Sequence, residues 1–349
     1  MSELLAACPV PIAQYDRIVL GHGSGGRLTA DLVHRLFLPA FGNDVLAALE
    51  DQATVHVNDT TRIAVTTDSF VVRPIFFPGG DIGRLAVCGT VNDLAVGGAE
   101  PLFIAAAFIL EEGLELDELG RVVASMRGAC AEAGVTLVAG DTKVVDRGKG
   151  DRIFITTTGI GAVPAGRSLS IAAARPGDRV IVSGTIGDHG IAIMSVREGL
   201  EFETAIESDC APLTDLVRVM LAVAPGMRCM RDPTRGGLAS ALNELAVASR
   251  VGVTLGELAI PIRPEVRSAC EVLGLDPLYV ASEGRLVAVV APEDADRVVE
   301  AMRQHPLGQR AAIIGEIVST HPGMVTQRTR IGGERIVTLL AGEQLPRIC

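Results

Sequence analysis

The chain has 349 residues, 48% of them hydrophobic but only 3% aromatic and none tryptophan, which allows about two domains whose separate cores are built from Ala, Val, Leu and Ile. A net charge of −11, from 31 Lys and Arg against 42 Asp and Glu, argues against nucleic acid as a partner, although carboxylates can still meet a nucleotide's phosphates through Mg2+. No apolar run approaches the roughly 18 residues of a membrane span, the amino terminus lacks a signal-peptide pattern, and the seven cysteines contain no Cys-x-x-Cys. A cytoplasmic, reduced protein without membrane association is expected.

In chain order, residues 1–50 combine a Gly-rich loop with a helical stretch from Leu28 to Phe37. A hairpin follows: Thr54–Val57, a turn at Asn58-Asp59, then Ile63–Thr67. Asp81 is placed to cap a helix whose Ile82, Leu85, Ala86, Leu94 and Ala95 keep helical spacing. Leu102–Leu110 reads as a buried strand, Asp117 opens another helix, and Val135–Val138 and Ile153–Ile155 read as further strands. Pro- and Gly-containing turns bracket a connector near 163–177. Beyond it come strand Arg179–Ser183, helices over 188–199, 212–223 and 235–249, strand Leu286–Val290, helix Glu293–Met302, and strands near 312–318 and 335–340. Alternating helices and strands in both halves predict a two-domain α+β protein with α/β-type alternation. The boundaries expected are 1–163, 175–341, and a mobile tail over 342–349 that ends in Cys349.

Gly21-His22-Gly23-Ser24-Gly25-Gly26 satisfies G-x-G-x-x-G ahead of a helix. Three readings compete: a dinucleotide fingerprint, a loop whose N–H groups close over phosphates, and a plain helix-entry turn. The segment before it is short and partly charged for a Rossmann strand, which favours the phosphate loop. No G-x-x-x-x-G-K-[ST] occurs, so a P-loop ATPase is excluded. Asp51, Asp68, Asp93, Asp141 and Asp232 recur beside strand ends and small residues. Converging carboxylates would hold Mg2+ on a triphosphate, whereas Asp in turns and caps is also ordinary. Asp93 stands apart, because it falls inside an apolar helical pattern where a buried carboxylate needs a partner. Lys143, read as following a Gly-Asp-Thr turn, and Glu283 are either solvated charges or a pair that neutralises phosphate charge and accepts a proton. His22 and His189 lie in glycine-rich segments, where phosphate contact is possible and metal ligation is disfavoured.

Seven segments taken together resemble the HypE family of hydrogenase maturation proteins, in the PurM/AIR-synthetase superfamily. They are Gly21–Gly26, Thr67–Val72, Phe77–Gly83, Gly89–Ala95, Ala139–Val145, Asp232–Ala239 and Pro346-Arg347-Ile348-Cys349, in order along essentially the whole chain. The resemblance implies a PurM-like fold whose amino-terminal domains pair across a homodimer into a β-barrel, with ATP near the interface. It implies that Cys349 receives a carbamoyl group from the carbamoyltransferase HypF, and that ATP activates the carbamoyl oxygen. Loss of phosphate then leaves a thiocyanate, which passes through a HypC–HypD complex to become the cyanide ligand of a [NiFe] hydrogenase. Cys349, Lys143 and Glu283 become the expected catalytic residues. Gly23, Gly25, Gly26, Asp68, Asp93, Asp141, Thr142 and Asp232 become the expected ATP-site residues, and Asp51, Asp68, Asp93 and Asp232 the expected Mg2+ ligands. The alternatives are a selenophosphate-synthetase-like enzyme, whose glycine loop would carry a reactive cysteine where His22 and Ser24 stand, and a non-catalytic thiol carrier. The unmodified tail is expected in solvent, inserting beside Lys143 and Glu283 once it is carbamoylated with ATP bound.

Overall fold

Each half of the chain builds its own sheet. The structure, a computed structural model, describes residues 17–199, 206–340 and 348–349. The glycine-rich segment turns as a 3-10 helix at Leu20–Gly23 and enters α1 (Arg27–Leu32), a π-helical turn (Val33–Phe37) and α2 (Leu38–Phe41). The expected hairpin forms, β1 (Ala53–His56) pairing antiparallel with β2 (Arg62–Phe70). A short ribbon of β3 (Phe76–Phe77) and β4 (Gly80–Asp81) leads into α3 (Ile82–Val96). Then come β5 (Glu100–Glu111), α4 (Leu116–Ala133), β6 (Thr136–Val145) and β7 (Ile153–Ala162). The sheet order is β1-β2-β7-β5-β6, and only the β5–β6 pair is parallel.

Asp81 caps α3 as expected, accepting the N–H groups of Gly83 (2.7 Å) and Arg84 (3.2 Å), two of the donors that a helix start leaves unpaired. The Gly140-Asp141-Thr142-Lys143 segment corrects the expectation of a turn, because β6 runs straight through it with Gly140 opposite Ala106 and Lys143 opposite Ile109. Its glycine serves close packing: a Cβ at Gly140 would meet the Ala106 carbonyl oxygen at 2.8 Å. β6 is the outermost strand and is exposed along nearly its whole length. Leu137, Val138 and Val144 on β6 and Leu102, Phe103 and Ile109 on β5 leave apolar side chains uncovered.

The second half contributes β8 (Arg179–Val182), α5 (Asp188–Arg197), α6 (Thr214–Val223), β9 (Cys229–Arg231), α7 (Gly237–Ser249) and β10 (Gly252–Gly256). It continues with α8 (Pro264–Leu273), β11 (Val287–Val290), α9 (Pro292–Arg303), β12 (Ala312–Val318), β13 (Val325–Arg328) and β14 (Glu334–Val337). This sheet runs β14-β13-β10-β12-β8-β11-β9, antiparallel except for β10–β13.

Helix α3 joins the halves. It is buried on nearly every side: Leu85, Ala86 and Val91 lie in the first core, while Ala95 and Val96 enter the core under α6 and α9. Asn92, 1% exposed, donates to the carbonyls of Ala211 and Glu283 (both 3.1 Å) and accepts the Leu213 N–H at 2.8 Å. Leaving such an amide unpaired would cost about 1–3 kcal/mol, so Asn92 fixes the second-domain loops against the first-domain helix. That contact sets Glu283 in place.

Candidate functional site

Three carboxylates from distant parts of the chain converge beside α3. Asp51 precedes β1, Asp93 lies on α3 and Asp232 follows β9, and one carboxylate oxygen of each falls within 4.8 Å of the others. Asp68, on β2, faces the same cavity and interacts electrostatically with Asp93. Thr66 Oγ1 donates to Asp93 Oδ2 at 2.7 Å, the shorter of two contacts open to its single proton, the other being the Asp51 carbonyl at 2.9 Å, which answers the need for a partner at Asp93. Arg231 Nη1 stands 3.1 Å from Asp51 Oδ1, and its other nitrogen pairs with Glu244.

These charges are not balanced. Burial pushes the carboxyls of Asp51 and Asp93 well above the usual range, with Arg231 opposing at Asp51 and the neighbouring carboxylates adding at Asp93. Burial also raises Asp68, and lifts Asp232 to about 6. A hydrogen bond to a charged group contributes about 1.5–3 kcal/mol, less than the several kcal/mol that each buried ion costs. The cluster therefore accommodates full ionisation only with an added cation. Hard oxygen donors at this spacing suit Mg2+. The carboxylates open on a cavity of about 280 Å3, also lined by Gly25, Thr29, Arg235 and Ser240.

Gly25 faces this cavity because of its backbone. It adopts φ +73°, and a Cβ there would meet the Arg235 carbonyl oxygen at 2.7 Å. Ser240 Oγ donates to the Gly25 carbonyl (3.2 Å), and Arg235 Nη1 reaches the Gly23 carbonyl (3.4 Å). Gly26, the N-cap of α1, lies against Leu340. The two glycine motifs of the sequence, 21–26 and 236–237, thus pack on each other.

The carboxyl terminus docks beside this cluster. Ile348 is 4% exposed in the first-domain core, and Cys349 packs partly buried against the same core. The Ile348 carbonyl accepts from His189 Nε2 (2.6 Å), and the Val71 N–H points at the Cys349 carboxyl-terminal oxygen (3.4 Å). Since a carbonyl only accepts, His189 carries its proton on Nε2 and takes the Ser208 hydroxyl at Nδ1 (2.8 Å). Burial lowers the imidazole to about 4, so it stays neutral. Burial pushes the Cys349 thiol up to about 12, against the attraction of Arg235, with Glu283, Asp68 and Asp232 adding repulsion. The expected exposed tail is corrected at its last two residues, which sit inward without modification because Ile348 fills apolar space and His189 needs an acceptor. Residues 341–347 lie outside the described residues.

Glu283 is 2% exposed, its Oε1 has no hydrogen-bond partner among the described residues, and burial, Asp232 and Asp209 hold its carboxyl well above the usual range. Among the expected site residues, Asp51, Asp68, Asp93, Asp232 and Gly25 line the cavity, and Glu283 and Cys349 stand beside it. Lys143, Asp141 and Thr142 do not join them within one chain: they lie on exposed β6, where Lys143 pairs with Asp141 at 3.4 Å. Sequence reading passed over Arg231, Arg235 and Thr66, although both arginines flank Asp232 in Arg231-Asp232-Pro233-Thr234-Arg235. His189 holds the tail and is not among the residues that line the cavity, and His22 Nδ1 accepts its own turn's Val19 N–H at 3.1 Å.

Residues 49–163 match the AIR synthase related protein amino-terminal domain, and 175–326 its carboxyl-terminal domain. The chain is 58% identical to the carbamoyl dehydratase HypE of Cupriavidus necator, over 95% of each. Among solved structures, a HypE–HypF complex matches with TM-score 0.84 at 49% identity, over 88% of this chain and 99% of the other. A HypE in complex with ATP matches with TM-score 0.80 at 47% identity, over 95% and 100%. A tail thiol docked beside buried carboxylates, on this fold and at this identity, places the chain in the carbamoyl dehydratase HypE family of AIR synthase related proteins.

Proposed function

We propose that the chain is an ATP-dependent carbamoyl dehydratase that converts an S-carbamoyl group on its own Cys349 into a thiocyanate, the source of the cyanide ligand in [NiFe] hydrogenase maturation. The observation that carries this reading is the position of Cys349, inside the protein, electrostatically coupled to Arg235, Glu283, Asp68 and Asp232. A thiol raised to about 12 is a poor nucleophile, so in this pocket Cys349 serves as the carrier of the reacting group. Its carbamoylation takes place outside, on a partner carbamoyltransferase of the HypF type.

ATP would occupy the cavity with its phosphates over Gly25 and the Asp232–Gly237 loop. Asp51, Asp93 and Asp232, with Asp68 beside them, would hold Mg2+, which would supply charge neutralisation for the triphosphate. The carbamoyl oxygen attacks the γ-phosphorus as the bond to ADP breaks and one nitrogen proton leaves to Glu283. The C–O bond then breaks, phosphate departs with the second nitrogen proton, and C≡N remains on sulfur. Glu283, with its unpartnered oxygen and raised affinity for protons, suits the base role. Arg235 suits stabilisation of the transferring phosphoryl group.

The exposed apolar face of β5 and β6 supports a homodimer closed over it, and Lys143, Asp141 and Thr142 on that strand would then complete the partner's site. The thiocyanate would pass to a HypC–HypD complex. Carbamoyl-dependent ADP formation tests the assignment: wild type preincubated with carbamoyltransferase and carbamoyl donor turns over ATP, and Cys349→Ala does not. ADP formation unaffected by Cys349→Ala would contradict it, and a carbamoylated tail without ADP formation would leave a thiol carrier.

A further inference from the structure

One proton per turnover must leave the site while ATP and the tail would occupy its front. In the reaction above, one nitrogen proton departs with phosphate and the other stays on Glu283. Glu283 lies between two cavities and lines neither. Toward the front it interacts with Asp232, Asp68 and Arg235 and with the docked Cys349, the side on which ATP and the carbamoylated tail would meet. Behind it stands Asp209, whose Oδ1 accepts the Glu283 N–H at 2.9 Å.

We propose that Asp209 and Asp188 form a proton outlet that carries the proton from Glu283 to solvent through the cleft behind the site. This rests on Glu283 acting as the base. The cleft, about 390 Å3, is lined by Asp209, Asp188, Arg285, Arg263, Glu207 and Arg310, and shares no lining residue with the carboxylate cavity. Its volume holds several waters. Glu283 Oε1, Asp209 Oδ2 and Asp188 Oδ1 are all buried and lack hydrogen-bond partners among the described residues, so each has a lone pair open to a proton. The Asp209 and Asp188 side chains are 1% and 3% exposed.

Arg285 ties the two steps together, with Nε 3.5 Å from Asp209 Oδ2 and Nη2 3.9 Å from Asp188 Oδ2. Arg263 Nε stands 3.9 Å from Asp188 Oδ1, and Thr185 donates to Asp188 Oδ2. These cations keep a carboxylate available, while burial raises the proton affinity of both aspartates, as it does that of Glu283.

The test uses the full-length enzyme and follows thiocyanate formation through successive turnovers, with excess small thiol to discharge the product and saturating carbamoyltransferase and donor to reload Cys349, because Glu283 must lose its proton before the next cycle. Asparagine keeps the Oδ1 acceptor that Asp209 offers to Glu283 and removes only the proton site. Asp209→Asn and Asp188→Asn are expected to leave the first turnover at the wild-type rate and to slow the later ones about tenfold or more, with an enlarged solvent deuterium isotope effect and with ATP affinity, thermal midpoint and tail docking unchanged. Imidazole buffer, which enters the open cleft, should restore Asp188→Asn and leave Asp209→Asn slow. Wild-type rates in both variants, or a loss in Asp188→Asn that no buffer restores, would overturn the outlet. Glu283→Gln separates the two ideas: full turnover in that variant removes the base assignment itself, whereas an inactive Glu283→Gln beside fully active aspartate variants removes only the outlet.

Discussion

His189 Nε2 lies 2.6 Å from the carbonyl oxygen of Ile348, so the residue before the terminal thiol is fastened to the first turn of α5. One buried hydrogen bond contributes about 0.5–1.5 kcal/mol and burial of an Ile side chain about 1.5–3 kcal/mol. Ordering backbone costs about 1–2 kcal/mol per residue, so fixing a few tail residues offsets both gains. Docking is therefore close to balance, as a group that must visit both a partner and this pocket requires.

His189→Phe keeps the aromatic edge against Phe77, 5.4 Å between ring centroids, and removes the donor. The docking equilibrium constant should fall about fivefold, near 1 kcal/mol, read as faster tryptic cleavage after Arg347. Cleavage at the wild-type rate would mean that the histidine bond does not hold the tail.

Ile348→Ser should slow thiocyanate formation from a pre-carbamoylated tail by roughly tenfold or more, because about 1.5–3 kcal/mol of apolar burial is lost. Its thermal midpoint should stay near wild type. Cys349→Ala should bind ATP normally and yield no product at all. A large drop in midpoint for either variant would show the tail to be a structural element.

The carboxylate cluster makes a pH prediction whose sign follows from burial. Asp232 is raised from 3.8 to about 6, so between those pH values the native state holds more protons than the unfolded chain, and stability falls as pH rises. With chelator present, Asp232→Asn should be more stable than wild type at pH 7 and equal to it near pH 4. Added Mg2+ should reverse the order at pH 7. His189, lowered to about 4, acts with the opposite sign over 4 to 6.5, but it is present in both proteins and cancels in the difference. A difference that grows on acidification would contradict the burial argument.

Lys143 is tested by mixing subunits. If it acts across a homodimer, Lys143→Ala and Cys349→Ala proteins should each be inactive alone and regain up to half of wild-type activity per mixed dimer. No recovery after subunit exchange would place Lys143 in its own chain's site or outside the chemistry.

The hairpin over 53–70, helix α3 with its Asp81 cap, and much of the second half were legible because each shows in local periodicity or capping chemistry, whereas β9, β10, α8 and β13 were not expected. The Gly140–Lys143 segment was not: Gly beside Asp and Thr reads as a turn, and only the approach of Ala106 from β5 explains the glycine in mid-strand. Asp93 announced itself as a carboxylate in an apolar helix, yet Thr66, which answers it, is an ordinary strand threonine. His189 was visible as a residue, but its partner, Ile348, lies 159 positions away and no local pattern links them.

The central claim is that the chemistry takes place on Cys349 inside this pocket. The direct measurement is the mass of the carboxyl-terminal peptide after incubation with the carbamoyltransferase and its donor, then with Mg2+ and ATP. The expected result is a carbamoyl adduct that loses one water only when ATP is present, in wild type and not in Glu283→Gln. A carbamoyl adduct that persists unchanged with ATP and Mg2+, or the same loss of water in Glu283→Gln, would contradict it.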